Sequence, residues 1–262
     1  MSTQTAEASM VQNFVRDAQE VAFPEPSDCL VDLPGGWLDS GGTVHHKALI
    51  RELTGADEEA LSRATKKGGN FDPGIFLGVA LQRSLVSIDG IPADDVMRNS
   101  LLIGDRDAIL LGVRIATYGG DYETSVTCSS CGKESGVVVE LEKDVQTRKS
   151  EASAWWRNVP LRKGEAILHL VTVADQTMAL SDDARTGAEV DTIIMSRVVK
   201  EINGAPVLGE RSLLEAPAGV RRSIAKYLVD NQPGPQLGEV KGSCPACKAD
   251  INISLSLPAL FL

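Results

Sequence analysis

Aromatic residues make up only 4% of this 262-residue chain. A core of ordinary size must therefore be built from Leu, Val, Ile and Ala, and hydrophobic residues reach 43%, usual for a globular protein. Basic residues are outnumbered: 26 Lys and Arg face 36 Asp and Glu, for a net charge of −10. Such an average field repels a phosphate backbone and disfavours nucleic-acid partners. No run approaches the roughly 18 apolar residues of a membrane span. The opening MSTQTAEASMVQNFVRDAQE has no basic start followed by an apolar block, so no secretory signal is expected and a reducing cytoplasm is. P-loop, GxGxxG, HExxH and GxSxG patterns are missing, which removes the common routes to an enzyme assignment.

Cysteine is sparse too, but four of the five are paired. Cys128-x-x-Cys131 sits in VTCSSCGKE and Cys244-x-x-Cys247 in GSCPACKAD. In a reducing compartment such pairs point to metal ligands rather than disulfides. A CxxC turn places two sulfurs on one side of a knuckle, and two knuckles complete the tetrahedral shell that zinc prefers. Four thiolates leave no open position for water, so the reading is a structural Zn2+ and not a catalytic one. Reduced, metal-free thiols are the alternative. A redox CxxC would need a helix start after a strand, and neither pair has a convincing helix behind it. Gly132, after the first knuckle, suits a positive φ. Between Cys131 and Cys244 lie 112 residues, whereas a compact ribbon uses about 15–20.

Order along the chain accounts for that gap. Leu53-Thr54-Gly55-Ala56-Asp57 reappears as Val171-Thr172-Val173-Ala174-Asp175, and Ile88-Asp89-Gly90 as Ile202-Asn203-Gly204. Ser100-Leu101-Leu102 reappears as Ser212-Leu213-Leu214, Ile115-Ala116-Thr117-Tyr118 as Ile224-Ala225-Lys226-Tyr227, and the first CxxC as the second. The expected fold is α+β: two degenerate, pseudo-symmetric repeats of helices and short strands, joined by a split zinc ribbon with one knuckle from each. Its parts are a mobile arm over 1–30, a first repeat over 31–142, a basic connector over 143–163 and a second repeat over 164–262. On this reading the metal fastens the two halves across a pseudo-twofold.

Local signals fill in the elements. Leu33-Pro34-Gly35-Gly36 reads as a turn, and 40–43 as a hairpin turn before a strand over 44–53. Thr54 caps a helix ended by Gly68-Gly69, and 72–81 is a second, apolar helix. Residues 86–90 read as strand and turn. Ile109, Leu110, Val113 and Ala116 give 105–118 a helical apolar face, and Gly119-Gly120 ends it. Strands enter and leave the first knuckle over 124–127 and 137–139. Asp57-Glu58-Glu59 and Asp182-Asp183 read as helix-start surface charge. Cys29 reads as an incidental thiol, and His45, His46 and His169 as structural or surface residues. Trp155-Trp156 is the candidate partner contact, since Trp is a favoured interface anchor. The apolar end, Leu255–Leu262, reads as a last strand plus a tail that docks on a partner.

Two segments, LPGGWLDSGGTVHHKALIRELTGADEEAL and LLGVRIATYGGDYETSVTCSSCG, resemble the T-even phage baseplate hub assembly family. Its members occur in contractile phage tails and related contractile injection systems. The matching motifs are Leu33–Gly36, Arg51–Glu58, Leu110–Gly119 and Tyr122–Cys131; the second half matches only through the duplication and its own CxxC. The resemblance implies a hub assembly chaperone or hub component, non-enzymatic, working in the producing cell's cytoplasm or in the finished particle. Its partners would be hub, spike or other tail proteins. The alternative is a zinc-ribbon nucleic-acid-binding protein, for which Lys133, Lys241 and Lys248 supply the only positive charge near the knuckles.

Overall fold

The computed structural model describes residues 25–66, 72–150, 156–181 and 185–261. The chain starts with a long hairpin, β1 (Asp28–Leu38) and β2 (Val44–Arg51). Asp39 closes its turn, with Oδ1 accepting the Gly41 and Thr43 amides, each at 2.8 Å. Residues 28–30, expected in a mobile arm, belong to β1. The stretch Leu33–Gly36, expected as a turn, is an irregularity inside that strand: the register with β2 shifts between Asp32 and Trp37. Helices α1 (Gly55–Lys66) and α2 (Pro73–Ser84) follow, then β3 (Leu85–Ile88) and β4 (Ile91–Pro92), then α3 (Asp95–Ser100) and α4 (Ile103–Tyr118). The sheet is a meander in the order β1-β2-β3-β4. Its core is aliphatic, as the composition requires, with Ile50, Leu81, Ile88, Leu101, Ile109 and Leu110 fully buried around Phe76. Gly119 caps α4 with φ 86°, a conformation that favours glycine.

Hairpin β5 (Asp121–Thr127) and β6 (Glu134–Glu140) carries the first knuckle, and short α5 (Leu141–Asp144) closes this part. A second body then begins. Its sheet is formed by β8 (Arg157–Pro160), β9 (Glu165–Leu168), β10 (Val199–Ile202) and β11 (Ala205–Pro206), paired in that order. Helices α6 (Val173–Ala179) and α7 (Gly187–Val198) lie between β9 and β10, and α8 (Glu210–Leu214) and α9 (Ala218–Asn231) follow β11. Strand β8 lies within the stretch expected to be a connector, so the boundary at 163–164 falls inside a hairpin. Residues 1–24, most of the expected arm, lie outside the described residues, as do 67–71, 151–155, 182–184 and 262, with Gly68-Gly69, Trp155 and Asp182-Asp183.

The two bodies share more than path. Asp57 is 2% exposed and takes the Thr54 amide and hydroxyl on Oδ2, at 3.0 and 2.8 Å, together with Arg51 Nη1 at 2.7 Å. Arg83, in the last turn of α2, stands 3.7 Å from its other oxygen. Asp175 repeats this with Thr172 (3.1 and 2.7 Å) and with Arg197 in the last turn of α7 at 2.8 Å. Asp57 is thus a buried anchor and not surface helix charge. Burial works against its ionisation, but Arg51 and Thr54 prevail and hold the carboxyl down at about 2. Both β-turns after the central strands have positive φ at two successive residues, Asp89-Gly90 and Asn203-Gly204, as a tight hairpin requires.

The bodies meet asymmetrically. Leu102 leaves the first body and is buried in the second core, beside Leu168, Val198 and Ile224. Flanking it, Ile103 N donates to Val171 O (3.1 Å) and Val173 N to Leu101 O (2.8 Å). A twofold relation would bury Leu214, the matching residue, in the first core; Leu214 is 65% exposed.

A two-residue stem carries the chain out and back. In it β7 (Thr147–Arg148) pairs with β12 (Gly234–Pro235), and Gln236 N donates to Gln146 O at 2.8 Å. The second body is therefore an insertion. After the stem, a 3-10 turn (Leu237–Glu239), hairpin β13 (Val240–Ser243) and β14 (Asp250–Ile253), and a final 3-10 turn (Pro258–Phe261) all return to the first body. Val240, Ile251, Ile253, Leu257 and Leu260 join the first core. The tail expected to dock on a partner docks here: Arg114 Nε donates to Leu260 O at 2.5 Å, and Phe261 meets Phe76 and Tyr118 edge-on. Among the described residues, no helix is long and apolar enough to cross a membrane.

Candidate metal centre

The two hairpins bring all four paired cysteines together, with every sulfur within 4.8 Å of the others. Cys128 Sγ is 3.7 Å from Cys247 Sγ, and Cys131 Sγ is 3.9 Å from Cys244 Sγ. A tetrahedron with metal–sulfur bonds of about 2.3 Å has edges of about 3.8 Å. Two of the six sulfur–sulfur edges therefore already match a tetrahedral thiolate site, and the four thiols lie close enough together to hold a metal ion. Exchanging the knuckles maps one contact onto the other, so the site itself has twofold character.

Each knuckle is locked the same way. Cys128 N donates to Lys133 O and Gly132 N to Cys128 O; Cys244 N donates to Ala249 O and Lys248 N to Cys244 O. The fifth residue has positive φ in both, Gly132 at 70° and Lys248 at 64°. Glycine marked that position in the first knuckle; the lysine in the second hid it. Amides of Cys131 and Ser130 aimed at Cys128 Sγ bring that thiol down to about 6, and those of Cys247 and Ala246 help lower Cys244. The Ala249 amide draws Cys247 down, but the neighbouring sulfurs and burial outweigh it and push that thiol up to about 12. Four crowded thiols cannot all ionise unaided, and a bound cation is what allows it.

The expected link between the two halves is replaced by a more local one. Cys128 and Cys244 both belong to the first core. A metal here fastens the C-terminal hairpin to the first body and closes the loop that carries the insertion. Most of the 112-residue gap is the inserted body and its stem, and the rest includes β6, α5, the 3-10 turn and β13.

The other singled-out residues are scattered. His45 lies between Asp39 and Asp89 at 3.1 and 3.3 Å. His46 Nδ1 is 3.3 Å from Leu33 O, and His169 Nδ1 is 2.7 Å from Leu170 O. Cys29 is half-buried on the first core, and burial raises its thiol. Of the acidic run, Glu58 accepts the Tyr118 hydroxyl at 2.7 Å and Glu59 pairs with Arg63. Trp156 is 43% exposed, edge-on to His169 and under Lys200.

Sequence reasoning missed Asp105 and Arg114, although Asp105 sits one turn before Ile109 on the apolar face of α4. Buried Arg114 donates to the carbonyls of Leu260, Gly119 and Asp121. Buried Asp105 accepts the Gly35 amide at 2.7 Å and so holds the Leu33–Gly36 irregularity, while its Oδ2 makes no hydrogen bond of normal geometry among the described residues. Burial outweighs the Gly35 and Gly36 amides and lifts this carboxyl to about 6. A raised carboxyl binds its proton more tightly in the folded state. Its contribution to stability is therefore favourable at low pH and falls as pH rises from 3.8 to about 6, opposite in sign to that of Asp57. Denaturant midpoints across this window should show that slope in the parent and lose it in Asp105→Asn. Parallel curves for the two would contradict the assignment.

Comparison with known protein families, curated proteins and solved structures gave no match for this chain.

Proposed function

We propose that this chain is a non-enzymatic assembly protein held by one structural zinc ion, acting in the baseplate hub of a contractile phage tail or related contractile injection system. The sulfur arrangement carries the zinc reading: four thiols within 4.8 Å of one another, two of their separations at the tetrahedral edge length, each knuckle braced by its own amides. All-thiolate tetrahedral coordination suits zinc over harder cations. The finer architecture we read as two degenerate copies of one unit. Support comes from the shared meander, the Thr–Asp–Arg anchors and the matching knuckles.

The contractile-tail assignment rests on the sequence motifs, and the fold gives them work. Leu33–Gly36 is the stretch held by Asp105, Arg51–Glu58 contains the buried ion pair, and Leu110–Gly119 is most of α4 with its cap. These residues shape the scaffold, so partner choice would lie on its surface, where Trp156 beside Lys200 is a suitable anchor. Metal analysis should return one zinc per chain, and pull-downs from assembling particles should return hub or spike proteins. Recovery of no tail component would remove the assembly role while leaving the zinc site standing. A nucleic-acid role has one observation in its favour: Lys133, Lys241 and Lys248 are all exposed near the metal centre. A salt-sensitive mobility shift with DNA or RNA would move the assignment there.

A further inference from the structure

One corner of the two sheets is finished differently. In the first body β1 runs on past its irregularity to Trp37, whose indole Nε1 donates to Ser100 Oγ at the end of α3, 2.9 Å away. The ring lies against His45 and the first core. In the second body the matching strand, β8, stops at Pro160, and the chain turns back at once, with Leu161 N donating to Gly164 O. No described residue takes the place of Trp37. Ser212, the counterpart of Ser100, instead lines an open cleft of about 650 Å³. Its apolar walls include Ile202, Val207 and Val220, and Arg162 and Lys163 stand along it with Glu215. Leu208, just before α8, is 84% exposed, and Leu214, its last residue, is 65% exposed.

We infer that this cleft receives a tryptophan side chain from a partner protein, flanked by acidic residues. The first body shows what the corner accommodates: an indole, with its N–H on the serine. Ser212 Oγ accepts the Leu208 amide at 3.2 Å and keeps a second lone pair for an indole donor. The apolar walls take the ring out of water, and Arg162 and Lys163 favour carboxylates beside it. The inference rests on the correspondence of the two bodies and needs neither the metal nor the contractile-tail reading.

The test is an NMR titration of the intact, metal-loaded chain with a capped tripeptide of tryptophan between two aspartates. The same peptide with alanine in place of tryptophan is the control. Saturable shifts are expected at Val207, Ser212 and Val220, with a Kd of about 1 mM and binding of the control at least about tenfold weaker. Ser212→Ala should weaken binding about fivefold, and Val220→Glu should abolish it with zinc content unchanged. Equal response to both peptides, no saturation, or shifts mapping elsewhere would overturn the inference. So would shifts at these residues that depend on protein concentration alone and vanish in Trp156→Ala, because the occupant would then be a second copy of this chain.

Discussion

Replacing Cys244 and Cys247 together by serine is expected to destabilise the first body by on the order of 5 kcal/mol, lowering its melting temperature by roughly 10 °C or more. Serine oxygen is a poor ligand at thiolate spacing, so the metal is lost and two hairpins that touch through their knuckles lose their link. The second of these hairpins brings Val240, Ile251 and Ile253 into the first core, and the tail behind it brings Leu257 and Leu260. Without the metal this segment is held only by the stem and its own core contacts, and it regains part of its conformational entropy. Hydrogen exchange should rise in β13, β14 and residues 257–261 and stay protected in β9 and β10, whose core is separate. Chelator should bring the parent to the same state. Equal loss of protection in both bodies would show that the metal joins them after all, and unchanged melting with and without chelator would sink the metal centre.

Gly104→Ala should cost about 3 kcal/mol, at the upper end of overpacking effects. A Cβ at Gly104 would stand 1.5 Å from Pro233 O and 2.5 Å from Pro233 C. Both obstacles are backbone, so no side chain can swing aside. From the other direction, a Cβ on Gly234, whose φ is 125°, would meet Gly104 Cα at 2.6 Å. Two glycines thus let the first turn of α4 lie directly on the stem. Gly78→Ala in α2 is the control: nothing lies within 4 Å of its added Cβ, so it should be neutral or stabilising by up to about 1 kcal/mol. Were the two variants to melt alike, the close approach at the stem would be refuted.

These two sites also mark what was legible beforehand. Helix α4 could be read because Ile109, Leu110 and Val113 recur at helical spacing and Gly119 stops them. The cysteine cluster could be read because CxxC spacing is itself geometry. Strand β1 could not be followed through Leu33–Gly36, because proline and glycine there serve an irregularity held by a buried carboxylate 70 residues away. Strand β8 hid in a basic stretch because Val159 is its only fully buried residue. The stem has two residues on each side, too few for any period. Above all, repeated motifs fix the order of elements but not which core each one joins. The second knuckle's attachment to the first body depends on contacts that no local pattern encodes.

The insertion also sets a timetable. Synthesis runs from the N-terminus, and the second body is continuous in sequence between the arms of the stem. It emerges whole while the first body still lacks β13, β14 and the final turn. The inserted part can complete its core on the ribosome, whereas the enclosing part must wait for β13, β14 and the final 3-10 turn. An ion held by the four thiols could be captured only after Cys247 is made: a chain truncated anywhere before Cys244 retains one knuckle only and cannot be sealed.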